Sequence, residues 1–199
     1  MSTGRVQATV GVYAASAAVA CVWRAIQGRS VWHDGAPLGS THAIAVPLAL
    51  SVGALVGVAV VWASQVAVRR TRWGRGLHLA LREGVLGVPR SSLGLLALSA
   101  AVGEELFFRG ALLPTLAGAV GTVAAVALSS LAFGLLHVPG NRKLVPWTLT
   151  ALGMGVVFAG LYLVTGEVLA PIAAHAVINH ENMHFLLAYD PAGGRARAT

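Results

Sequence analysis

Residues 91–115 read SSLGLLALSAAVGEELFFRGALLPT. The stretch is long enough to cross a bilayer, which takes about 20 apolar residues in a helix. Yet its second half holds Glu104, Glu105 and Arg109. If this is a membrane helix, three ionisable groups sit in hydrocarbon, where charge is costly and marks function. If it is the core helix of a water-soluble domain, the rest of the chain should be rich in charge. The surrounding sequence decides between the two.

Of the 199 residues, 56% are hydrophobic and only 11% are charged. A soluble domain carries about 25% charged residues. Mean hydropathy is +0.74. The formal charge is +7, from 14 basic and 7 acidic residues. In a soluble protein that balance would suggest nucleic acid. Here the basic residues fall between apolar runs, so lipid head groups and topology are the better reading, and no nucleic-acid partner is expected. The lone cysteine, Cys21, rules out an internal disulfide. Ala18-Val19-Ala20-Cys21 is a poor lipoprotein cleavage site, and the first apolar run is long for a signal peptide, so it reads as a retained span.

Working outward from 91–115, five more runs qualify as spans: 6–27, 43–68, 119–138, 145–165 and 168–188. The expectation is all-α, a polytopic transmembrane helix bundle of about six spans. Residues 69–90 hold Arg69, Arg70, Arg72, Arg75, Arg82 and Arg90. An arginine-rich loop stays in the cytoplasm. Counting from it places both termini and the Arg142-Lys143 loop on the cytoplasmic side. Arg195 and Arg197 in the tail agree. Leu77, Leu79, Leu81, Val85 and Val88 alternate with polar residues, which suits a short helix lying on the membrane surface. The chain thus divides into N-terminal spans and a basic loop (1–90), a helical core with most of the intramembrane ionisable residues (91–188), and a tail read as disordered (189–199).

Within the core, three clusters stand out. In Gly103-Glu104-Glu105-Leu106-Phe107-Phe108-Arg109-Gly110, Glu105 and Arg109 have the i, i+4 order favoured for a helical ion pair. Glu104 is turned by about 100° from Glu105, and its own i+4 neighbour is Phe108. It is left without a local counter-charge, which suits a general base or acid; from this motif alone, a structural salt bridge with one carboxyl group facing a water pocket is the stronger reading. In Phe133-Gly134-Leu135-Leu136-His137, Phe133 lies one turn before the histidine and can wall its ring. In His175-Ala176-Val177-Ile178-Asn179, two polar side chains share a helix face. They can hold a developing oxyanion or link two helices by hydrogen bonds.

Taken together, Glu104-Glu105-x-x-x-Arg109, Phe133-x-x-x-His137 and His175-x-x-x-Asn179, in this order on successive apolar helices, resemble the CPBP family. These are the CAAX-protease and bacteriocin-processing proteins, also called the Abi family, and they include the Rce1-type glutamic intramembrane proteases. The resemblance covers about residues 91–185, and all three motifs match without substitution. It implies an intramembrane endopeptidase. Glu104 would be the catalytic carboxylate and would activate a water with His137. His175 and Asn179 would form the oxyanion hole, with Glu105 and Arg109 in support. The route would be metal-free and without cofactor. Its partners would be the bilayer and a peptide or protein substrate, membrane-anchored and lipidated ones included. Nothing chooses among prenylated proteins, bacteriocins and C-terminal sorting tails. The first two spans carry no recognised motif and would build the pocket and its access path.

A rival sits beside the third motif. His180-Glu181-Asn182-Met183-His184 has the H-E-x-x-H pattern, with two zinc ligands at i, i+4 and Glu181 as base. A zinc protease would need a third ligand. Two further alternatives are an ion-coupled transporter with Glu104, His137 and His175 as a relay, and a non-catalytic family member acting as an immunity or assembly factor. The composition, rich in Ala, Gly, Val and Arg, looks bacterial, which points to the plasma membrane. One tension remains. Straight helices would put His137 near the cytoplasmic face and His175 nearer the outer face. Breaks at Gly134, Pro139 or Pro171, or different span ends, would bring them together.

Overall fold

The computed structural model describes residues 3–33, 43–138, 145–192 and 194–195. Nearly all of them are helical. Helix α1 is Thr3–Ile26 and α2 is Val46–Arg70. Pro47 falls in the first turn of α2, where its missing N–H is harmless. Arg69 and Arg70 close it, placing positive charge at the negative end of the helix dipole. The chain then turns at Thr71, whose hydroxyl accepts from the Gly74 N–H at 3.0 Å and caps α3, Arg72–Val85. Helix α4, Arg90–Glu105, runs through a π-helical turn, Leu106–Leu112, into α5, Leu113–Val120. Gly121, at φ 83°, ends that rod, and α6, Thr122–Leu136, follows. Helix α7 is Val145–Thr165 and α8 is Leu169–Ala188. Inside the stretch read as a tail, Tyr189–Asp190 pairs antiparallel with Gly194–Arg195.

By length and composition, four helices can cross a membrane: Gly4–Ile26, Val46–Arg70, Arg90–Val120 and Val145–Thr165. Large apolar side chains lie open along their outer faces, among them Leu55, Val58, Trp62, Leu95, Leu98, Leu149 and Val164. Such a surface belongs in lipid, and the protein is an integral membrane protein. The other two expected spans differ from the first four. Helix α6 has 15 residues, about 22 Å at 1.5 Å per residue, short of a core about 30 Å thick. Helix α8 has 20 residues but carries His175, Asn179, His180, Glu181, Asn182 and His184. It tolerates them because it is wrapped by protein, packing on α2, α3, α4 and α7.

The closest of these contacts is with α2. A Cβ on Gly53 would run into the Ala170 carbonyl, and one on Gly57 would meet the Ala174 carbonyl at 2.9 Å. Gly53-x-x-x-Gly57 thus faces Ala170-x-x-x-Ala174, the small-residue spacing by which membrane helices approach. Further along, Ser64 Oγ donates to Asn182 Oδ1 at 2.9 Å. The end of α8 is clamped by α3: His78 Nε2 donates to the Tyr189 carbonyl at 2.9 Å, and Phe185 stacks on Tyr189 at 5.1 Å.

Two predictions come from this packing. Gly53→Ala overfills the α2–α8 contact and should lower stability by about 1–3 kcal/mol, read as a lower Tm in detergent. Gly76→Ala, with nothing within 4 Å of the new Cβ, should leave Tm unchanged or raise it slightly. The second concerns His78, which lies outside the membrane helices. Burial pushes its pKa below 6.5. The neutral ring is favoured in the fold, so its contribution is full above pH 6.5 and is lost as pH falls. Tm should drop between pH 7.5 and about pH 5, and His78→Gln should flatten that slope.

Candidate active site

Arg109 is the centre of the site. It lies in the π turn that begins after Glu105 and closes with the Leu113 N–H bonded to the Phe108 carbonyl, five residues back. Such wide turns are frequent at functional sites. The guanidinium is fully buried. Its Nη1 lies 3.2 and 3.0 Å from the two Glu105 oxygens, and Nη2 donates to the Gly155 carbonyl at 2.9 Å. Three rings surround it, with centroids at 4.6 Å (Phe133), 5.4 Å (Phe158) and 5.6 Å (Phe108). A weakly hydrated, planar cation suits such a setting.

Glu105 is equally buried and holds a second partner. His175 Nδ1 lies 2.8 Å from its Oε1. An ionised carboxylate only accepts, so Nδ1 carries the proton. That leaves Nε2 as the nitrogen free for other chemistry: an acceptor in the neutral ring, a donor in the imidazolium. The His175 ring is held flat against Phe158, centroids 4.9 Å apart and planes 17° apart. Asn179 is half-buried one turn further along α8.

Glu104 faces elsewhere. Its Oε2 is buried, has no hydrogen-bond partner among the described residues, and lies 3.9 Å from His137 Nε2. That is too long for a direct hydrogen bond and short enough for both atoms to share one water. His137 terminates α6, and its Nδ1 lies 2.7 Å from the Phe133 carbonyl. A carbonyl only accepts, so Nδ1–H donates there and the neutral ring turns a lone pair toward Glu104. Trp147 stands beside the ring, 5.7 Å away, and the Thr148 hydroxyl donates to the His137 carbonyl at 2.9 Å.

Phe133 joins the two halves. Its ring lies 4.7 Å from that of His137 and 6.2 Å from that of His175. Both imidazoles are within electrostatic reach of Glu104. Glu104, Glu105, Arg109, His137 and His175 therefore share one neighbourhood. The tension in the span map disappears because the two histidines flank one ring, that of Phe133. Neither Gly134 nor Pro171 breaks its helix; Pro171 falls in the first turn of α8, where its lack of an N–H removes no helical bond. Pro139 lies outside the described residues.

His180, Glu181 and His184 stand apart from this group. The two rings are 4.5 Å apart, His180 packs over Gly94, and Glu181 is exposed. Among the described residues, no third His, Cys, Asp or Glu completes a metal-binding group with them. Sequence reasoning passed over three participants: Phe158, the Gly155 carbonyl, and Tyr13 on α1, which is within electrostatic reach of Glu104. Only Tyr13 left a trace, as the single tyrosine within residues 6–27.

Fold and site together define a helical integral membrane protein with carboxylates and imidazoles gathered around a buried arginine. Residues 88–180 match a protein-family model described as type II CAAX prenyl endopeptidase, Rce1-like. That match, over a little under half of the chain, supports a place for it among the Rce1-like proteins. No curated protein and no solved structure matches the chain.

Removing Arg109 would strand a buried carboxylate. Arg109→Ala should cost about 3–5 kcal/mol, measured as the shift of a denaturation midpoint in detergent. Arg109→Lys should recover only part of this, since a point charge cannot reach Glu105 and Gly155 together.

Proposed function

We propose that the protein is an intramembrane endopeptidase of the glutamic type, hydrolysing a peptide bond with a water held between Glu104 and His137. One observation carries the reading: two acceptors, Glu104 Oε2 and His137 Nε2, face each other at 3.9 Å with no donor between them. A water satisfies both by donating one hydrogen to each. Its lone pair is then the part left to attack a carbonyl carbon. As the O–C bond forms, Glu104 takes one proton and the carbonyl oxygen becomes an oxyanion. That proton then passes to the amide nitrogen as the C–N bond breaks, which regenerates the carboxylate.

His175 and Asn179 are the proposed oxyanion hole. Because His175 Nδ1 is committed to Glu105, its Nε2 donates only when the ring is an imidazolium. The oxyanion would then meet a positive charge as well as a hydrogen bond, in a site walled by phenylalanines where such contacts are strong. Glu105 and Arg109 hold that ring in place. The matched family's description supports peptide hydrolysis and a C-terminal CAAX-type substrate anchored in lipid. Bacteriocins and sorting tails offer the same peptide chemistry. The chain runs through a bacterial plasma membrane, in this reading, with about six spans and both termini in the cytoplasm. Arg69, Arg70, Arg72, Arg75, Arg82 and Arg90 then lie on the inner face.

The test uses an internally quenched, farnesylated CAAX peptide and the protein in detergent without chelator. Glu104→Gln should lower turnover about 10²–10⁴-fold at unchanged Tm. His180→Ala should stay within about threefold, and zinc should be far below one per chain. About one zinc per chain, lost together with cleavage in His180→Ala, would move the chemistry to His180 and His184. A wild-type protein that cleaves nothing, prenylated or not, would leave the non-catalytic family role.

A further inference from the structure

The family match begins at residue 88, yet α1 reaches the site. A Cβ on Gly103 would meet the Tyr13 carbonyl oxygen at 2.6 Å and the Tyr13 Cα at 2.9 Å. The backbone of α1 is thus seated directly on α4, one residue before Glu104. The same face of α1 continues the contact: Ala17 and Ala20 enter the apolar core, and the Trp23 ring lies 6.1 Å from Phe107. Residues 13, 17, 20 and 23 follow helical spacing, so the contact is a docked face and fixes where the Tyr13 side chain can go. That side chain is half-buried, starts beside the residue that precedes Glu104, and is near enough to the Glu104 carboxyl group to interact with it electrostatically. A phenol has one proton to give. The buried Oε2 of Glu104 receives no hydrogen bond and faces His137.

We infer that Tyr13 is a positioning residue: its hydroxyl donates to the Glu104 carboxylate through the oxygen turned away from His137, and so fixes Oε2 toward the water site. The inference rests on Glu104 being the catalytic carboxylate. It gives the first span a part in the chemistry that the matched region does not contain. A carboxylate free to turn about its last bond spends part of its time aimed away from the water. A charge-assisted hydrogen bond removes that freedom. Since Tyr13 does not touch the substrate in this scheme, its loss should slow the chemical step and leave binding alone.

Two measurements test this. With the quenched farnesylated CAAX peptide, Tyr13→Phe should lower kcat about tenfold, with KM and Tm unchanged; Tyr162→Phe, a buried tyrosine away from Glu104, is the control. Wild-type kcat in Tyr13→Phe would overturn the inference, as would a loss of kcat matched by an equal fall in Tm. The second measurement needs no turnover. Infrared spectra of the wild type and Glu104→Gln identify the Glu104 carboxyl band, and that band should shift in Tyr13→Phe. An unshifted band means that no hydrogen bond exists and sinks the inference. If the wild type cleaves nothing, the proposed function fails, while the infrared result still decides the role of Tyr13.

Discussion

The structure depends on one buried cation. Arg109 has no water to solvate it, so its charge must be met by protein on every side. Glu105, the Gly155 carbonyl and three phenylalanine faces do this. Those groups come from α4, the π turn, α6 and α7. Satisfying the guanidinium therefore brings four parts of the chain to one point. The same demand organises the site. Glu105 is consumed by Arg109 on one side and orders His175 on the other. Phe133 covers the cation and, from its other edge, spaces the two imidazoles. Glu104 is turned away from all of this and keeps an unpartnered oxygen. Separating a neutralised carboxylate from a free one is what lets two adjacent glutamates do different work.

Part of this was legible in the sequence. The i, i+4 spacing of Glu105 and Arg109 was enough to pair them, because helix geometry leaves little choice. The same geometry left Glu104 without a local counter-charge. Low charge content and long apolar runs gave an all-helical membrane chain. Other features resisted reading for physical reasons. Hydropathy measures length and polarity along the chain, and it cannot see that α8 is wrapped by protein while α2 meets lipid. A window that placed a span at 119–138 overran a helix that runs only from Thr122 to Leu136. The stack of Phe158 on His175 is a contact between two helices, so neither helix's sequence announces it. The hydrogen bond from His175 to Glu105 has the same origin.

HENMH illustrates the converse. The spacing does bring His180 and His184 side by side, as helix periodicity requires. A pattern on one helix is silent about what the neighbouring helices supply. Here α2 offers Ser64 to Asn182 and α4 offers Gly94 to His180, which are packing contacts between helices. The neighbouring HAVIN sequence differs because α4 and α7 bring a carboxylate and an aromatic plate to its histidine.

The shortness of α6 bears on the lipid as much as on the protein. Val123, Leu128, Leu131 and Leu135 keep its outer side apolar, so acyl chains cover it. A helix of about 22 Å beside rods long enough for the full hydrocarbon layer is a mismatch that a bilayer can meet by thinning on that flank. Thinning would draw head groups and water inward toward the end of the helix, where His137 sits. Hydrophobic mismatch would then act as the entrance: a polar backbone could approach from the aqueous side through a dimple in the membrane, without crossing its whole depth. Thicker bilayers would resist that deformation, so the lipid itself would help set how readily a peptide bond reaches the water site.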